Sequence, residues 1–176
     1  ASLKPSRGVG VDFSDRMIKI AKGKFPGLKF ALADIEKPGF TKKLGGPFDV
    51  IVLSDTFGLL DDCEATLALL HDVCTPDTRL IISYYSPYWE PVLRLGDKLE
   101  LRMPQPEVNY LSTADIENLL HLADFEVIKM LGTGANAFAY LAKCRAGGQL
   151  DAHQDMMAVL KVIVKYKQAG GAELGA

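Results

Sequence analysis

Two almost wholly apolar runs, Phe48–Leu53 (FDVIVL) and Arg79–Tyr85 (RLIISYY), constrain this chain most. A strand with one wet face alternates apolar and polar residues. A run that does not alternate suits a strand buried on both faces, as in a parallel sheet covered by helices. Helical patterns lie where the crossovers of such a sheet belong. Arg7–Val11 reads as a short strand ending in Asp12. Ser14 then caps a helix with Met17, Ile20 and Ala21 on one face, which Gly23 and Pro26 close. Leu28–Ala33 is a second strand, ending at Asp34–Ile35. Pro38, Gly39, Gly45, Gly46 and Pro47 punctuate the connection to Phe48. Asp61 and Glu64 resemble a capping box for a helix with Leu67, Leu70 and Cys74 on its apolar face, stopped by Pro76. The rhythm specifies an α/β fold with right-handed crossovers.

Residues 86–111 break the rhythm. They hold Pro87, Pro91, Pro104 and Pro106 and the aromatics Tyr88, Trp89 and Tyr110. An irregular insertion at the carboxyl edge of a sheet reads as a lid or substrate wall, with room for a short helix around Val92–Leu99. Ser112 caps the clearest amphipathic helix, with Ile116, Leu119, Leu120 and Ala123 on one face. Phe125–Leu131, a Gly132-Thr133-Gly134 turn and Ala137–Cys144 form an antiparallel pair. Leu150–Lys167 reads as a helix with Met156, Met157, Leu160 and Val164 inward, ending in a frayed Gly-rich stretch.

A net charge of -2 with scattered lysines and arginines gives no nucleic-acid footprint. No apolar run approaches the ~20 residues of a membrane span, and no charged-then-apolar leader is visible. Cys63, Cys74 and Cys144 are odd in number and widely spaced, so no metal site and no disulfide framework is expected. The expectation is a reduced, cytoplasmic protein with its cysteines buried. His71 and His121 lie on helices and read as structural or solvated.

A carboxylate at the end of a parallel strand sits where open α/β sheets bind ligands, so Asp12 either accepts from ribose hydroxyls or caps the following helix. Asp34 could equally form a turn before Pro38. Met17 could equally be core, and Asp55 could equally sit at a helix entry.

In sequence, GVDFSDRMIKIAK, FALADIEK, FDVIVLSDTFGLLDD, TRLIISYY, and LSTADIENLLHLADFEVIKM followed by AFAYLAKC resemble the class I S-adenosylmethionine-dependent methyltransferases from their second strand onward. The resemblance covers roughly residues 7 to 144. It implies a Rossmann-like, mostly parallel sheet with an antiparallel pair at its C-terminal end, and S-adenosylmethionine as cofactor. It places Asp12 on the ribose and Phe13 and Met17 against the adenine. Asp34 and the Ile35 amide belong at the adenine edge, and Ser54 and Asp55 beside the methionine portion. Tyr85, Tyr88 and Trp89 fall on the substrate side. No catalytic base can be named.

The family's central first strand and its glycine-rich loop do not precede Arg7. The slot between Arg7–Val11 and Phe48–Leu53 is expected empty, with open edges that could pair in a homodimer. The tail run Met157–Tyr166 is β-branched enough to fill that slot in a permuted chain, with Gly170 and Gly171 as its loop. The expected organisation is a partial methyltransferase-like domain over residues 1–146 and a helical tail over 147–176. The expected activity is methyl transfer to a small-molecule acceptor. The alternatives are a dinucleotide-dependent oxidoreductase and a non-catalytic truncated domain.

Overall fold

A computed structural model describes residues 5–85, 95, 98–99, 109, 111–132, 137–144 and 158–163. Its strands are β1 (Arg7–Asp12), β2 (Lys29–Leu32), β3 (Val50–Ser54), β4 (Arg79–Tyr85), β5 (Phe125–Gly132), β6 (Ala137–Cys144) and β7 (Ala158–Ile163). They form one seven-stranded sheet in the order β2-β1-β7-β3-β4-β6-β5. The first five in that order run parallel; β6 is antiparallel to both β4 and β5. Helices α1 (Asp15–Lys24), α2 (Cys63–Leu70) and α3 (Thr113–Leu122) lie in the connections. The expected α/β architecture and its antiparallel ending are both present.

The tail departs from expectation. Ala158–Ile163 is a strand, not a helix, and it occupies the central slot. Arg7 to Val11 pair with Ala158 to Val162 on one side, and Val50 to Ser54 pair with Val159 to Ile163 on the other. The central edges are therefore paired rather than open. The physical reason is hydrogen bonding: an empty slot would strand two rows of backbone groups at the centre of the sheet. The β-branched Val159, Val162 and Ile163 suit that setting better than a helix. Gly170 and Gly171, the candidate loop, lie outside the described residues, as does the Val92–Leu99 helix as a whole.

Two local expectations change. Asp62, not Asp61, caps α2, accepting from the Ala65 N–H at 2.9 Å. Ile18, not Ile20, is the buried residue of α1; Ile20 is exposed because the contact face runs narrowly through Ser14, Met17, Ile18 and Ala21. The cap of α3 is as expected: Ser112 and Asp115 form a reciprocal capping box. Ile116 and Leu120 pack inward from it, onto a core with Ile51, Leu53, Leu67, Leu80, Ile82 and Phe125. A Cβ at Gly10 would fall 2.7 Å from the Phe30 ring, so any larger residue there has to displace that ring.

Tyr140 on β6 is fully buried, and among the described residues its hydroxyl has no hydrogen-bond partner. Burial pushes its pKa up to about 12. A buried hydroxyl without a partner loses its hydration and regains nothing, a penalty of about 1–3 kcal/mol. Tyr140→Phe should therefore raise the denaturation midpoint without changing the slope of a urea titration. Among the described residues no helix is long and apolar enough to cross a membrane.

Candidate active site

The candidate residues gather at the carboxyl edge of the sheet because each follows a parallel strand. Asp12 ends β1 and is only 5% exposed. Its Oδ1 accepts from the Ser14 N–H at 2.8 Å. Burial raises its pKa above the ordinary carboxylate value, and the Ser14 hydrogen bond only partly offsets this. Ser14 in turn caps α1 with its own hydroxyl, accepting from the Met17 N–H. The helix cap and the strand-end carboxylate are thus different residues: Asp12 orients Ser14, and Ser14 caps. Phe13 and Met17 are half-buried beside them.

Asp34 follows β2, next to β1; the Ala33 N–H donates to the Asp12 carbonyl at 3.0 Å and ties the two strand ends together. Asp34 does form a turn, its Oδ1 accepting from the Glu36 N–H at 3.1 Å. The Ile35 side chain is core, 3% exposed.

Ser54 and Asp55 end β3. Asp55 takes a left-handed backbone conformation, φ 53°, uncommon for an L-residue though better tolerated by aspartate than by most. β4 holds it there. The Asp55 N–H donates to the Ser83 carbonyl at 3.2 Å, and the Ser83 hydroxyl donates to Asp55 Oδ1 at 3.3 Å. Ser83 Oγ also lies 3.5 Å from Ser54 Oγ. Thr56 behind them is buried, its hydroxyl donating to the Ser54 carbonyl at 3.0 Å.

Sequence reasoning missed Ser83 and Asn109, and read Tyr84 only as a wall aromatic filling a gap. The Tyr84 hydroxyl donates to the Asn109 carbonyl and accepts from the Leu111 N–H at 2.8 Å. Asn109 donates from its N–H to the Gly58 carbonyl and from Nδ2 to the Leu60 carbonyl, each at 2.8 Å. These bonds pin the returning end of the insertion to the loop after β3. No local signal announces a pairing between residues 49 positions apart. Ser83 was legible in principle, as a polar residue inside an apolar strand. Tyr85 closes β4 opposite Ala137; its side chain, together with Tyr88 and Trp89, lies outside the described residues.

His71, Cys74 and Cys144 lie away from this edge, and Cys63, at the start of α2, is buried with its thiol directed to the Phe57 carbonyl. His71 Nε2 donates to the Ala123 carbonyl at 2.6 Å, which leaves Nδ1 to accept from the Cys144 thiol at 3.1 Å. Burial pushes the Cys63 thiol up to about 11 and the Cys74 thiol up to about 12, the reverse of a nucleophile's environment. Among the described residues no cluster of three or more histidines, cysteines or carboxylates could hold a metal ion.

A family model described as a methyltransferase domain matches residues 2–130. No curated protein matches the chain. Solved structures do. An S-adenosylmethionine-dependent methyltransferase from Clostridium acetobutylicum is 13% identical, with a TM-score of 0.58 over 84% of this chain and 87% of that one. A protein described as a type 11 methyltransferase from Sulfolobus solfataricus is 16% identical, with a TM-score of 0.60 over 84% of this chain and 76% of that one. Magnesium protoporphyrin IX methyltransferase from Synechocystis, with bound SAH, is 21% identical, with a TM-score of 0.54 over 77% and 63%. At these identities the likeness is one of fold. The family match spans most of the chain, and it agrees with the strand order and the carboxylates at the strand ends. The chain belongs to the methyltransferase domain family, class I in fold, for which S-adenosylmethionine is the methyl donor.

Proposed function

We propose that the protein transfers a methyl group from S-adenosylmethionine to a small-molecule acceptor. The observation that carries this is Asp12: a buried carboxylate at the end of a parallel strand, with a raised pKa and a single hydrogen bond from the described residues. Such a group is under-solvated and accepts readily from a pair of vicinal hydroxyls. The residues present therefore fit the ribose of the cofactor. Asp34 and the Ile35 amide would take the adenine edge, with Phe13 and Met17 along its faces. Ser54, Asp55 and the supporting Ser83 would face the methionine portion and the acceptor. Tyr85, Tyr88 and Trp89 would wall the acceptor side. The bound cofactor supplies a methyl already activated on a sulfonium, so the protein's contribution is alignment of the acceptor and exclusion of water.

Calorimetric titration with S-adenosylhomocysteine tests this. Hydrogen bonds to a charged group are worth roughly 1.5–3 kcal/mol each. Asp12→Ala removes both bonds to the ribose hydroxyls and should therefore weaken binding about a hundredfold or more. Asp12→Asn keeps an acceptor for the Ser14 N–H and discards the buried charge. Because the folded-state pKa is raised, ionised Asp12 opposes folding at pH values above it, and stability should rise as pH falls through that value. Asp12→Asn should thus match or exceed the wild type in melting temperature at neutral pH while binding poorly. Unchanged affinity with a lowered melting temperature would make Asp12 structural. Binding of a nicotinamide dinucleotide in place of S-adenosylhomocysteine would favour an oxidoreductase.

A further inference from the structure

The sheet ends on one side in β2, and this edge is basic and apolar at once. A cleft of about 700 Å³ opens there, lined by Lys22 of α1, Lys29 of β2, and Lys42 and Lys43 of the following 3-10 turn, with Leu28 and Phe30 among its apolar lining. Among the described residues no carboxylate lines it, and none of the residues proposed for the cofactor does. Lys19 is paired with Asp15, but residues 22–46 carry six further lysines against two carboxylates, a local excess within a chain whose lysines and arginines are otherwise scattered and whose net charge is -2. Those two carboxylates are engaged elsewhere. Asp34 accepts from the Glu36 N–H, and Glu36 accepts from the N–H groups of Asp61 and Asp62. Ile20, Phe25 and Leu32, on α1, just beyond it and on β2, are all exposed.

A lysine-rich face is ordinarily just solvated. Apolar side chains standing between the lysines mark an interaction surface instead. β2 pairs only with β1 among the described residues, so its outer backbone groups can accept another strand. Four lysines and no arginine line the cleft, and arginine is the residue whose planar fork suits phosphate.

We propose that this edge docks an acidic, strand-forming segment of a partner protein, which extends the sheet beside β2 with its carboxylates against Lys22, Lys29, Lys42 and Lys43. The reading is independent of the methyl-transfer site. Fluorescence anisotropy with a short labelled peptide of alternating glutamate and valine tests it. The peptide should bind the wild-type chain and lose at least about tenfold in affinity on the triple change K22E/K42E/K43E. Titration with S-adenosylhomocysteine should be the same for both proteins. Lys42→Glu and Lys43→Glu, each at an exposed site, carry the test singly should the triple variant not fold, with smaller losses in the same direction. A peptide of equal charge with proline at the valine positions should bind much more weakly. The proposal is overturned if the wild type ignores the peptide, or if charge reversal leaves binding intact. It also fails if the proline peptide binds equally well, or if inorganic phosphate or a single-stranded oligonucleotide displaces the peptide at matched charge.

Discussion

Leu160→Pro abolishes cooperative unfolding of the chain. Leu160 sits at the centre of β7, paired with Val9 on one side and Ile51 on the other. A proline there has no N–H to give and its ring crowds the neighbouring strand, which is why sheets tolerate proline at edges and bulges but not at the centre. Each backbone group left buried without a partner costs about 1–3 kcal/mol. A few such losses equal the ~5–15 kcal/mol that holds a whole domain together. Circular dichroism should show a broad, weak melt, and amide exchange should accelerate throughout β1 and β3. A variant that melts sharply at the wild-type temperature would place the tail outside the sheet.

The second large effect is expected at Phe125, where β5 begins. Its ring is fully buried, and the His71 imidazole lies over it at a centroid distance of 4.6 Å. His71 is in turn held by the Ala123 carbonyl and the Cys144 thiol. Phe125→Ala removes the ring and leaves a cavity under that imidazole, typically about 3–5 kcal/mol. For a chain of this size, at ~2–4 °C per kcal/mol, the melting temperature should fall by about 6–20 °C. The Asp12 site lies at the other end of the parallel strands, so folded Phe125→Ala protein should bind S-adenosylhomocysteine with nearly wild-type affinity. A selective loss of binding would instead couple this corner to the cofactor edge.

What the sequence made legible follows from the range of each signal. Apolar runs too uniform for a half-wet strand announced β3 and β4, and the period-3.6 face of Ile116, Leu120 and Ala123 announced α3. Asp12, Asp34 and Asp55 stood out as candidates because each closes an apolar run. The tail was misread for a long-range reason. Met156, Met157, Leu160 and Val164 satisfy a helical pattern locally, and only the vacancy between two strands over a hundred residues earlier decides for extended backbone. Asn109 was invisible in the same way, since its polar partners are backbone carbonyls on a distant loop. The Asp61–Asp62 error was smaller: both are adjacent acids, and backbone geometry alone selects Asp62.

The placement of β7 also bears on the order of events during synthesis. A ribosome releases β1 through β6 before the strand that joins them, so the nascent sheet is for a time two separate pieces, β2-β1 and β3-β4-β6-β5. Neither piece can close on the other early, because the pairing that unites them links Gly8 to Val159. Contacts that distant in sequence form slowly. Two strand edges stay open to mispairing and aggregation in the interval, until β7 emerges.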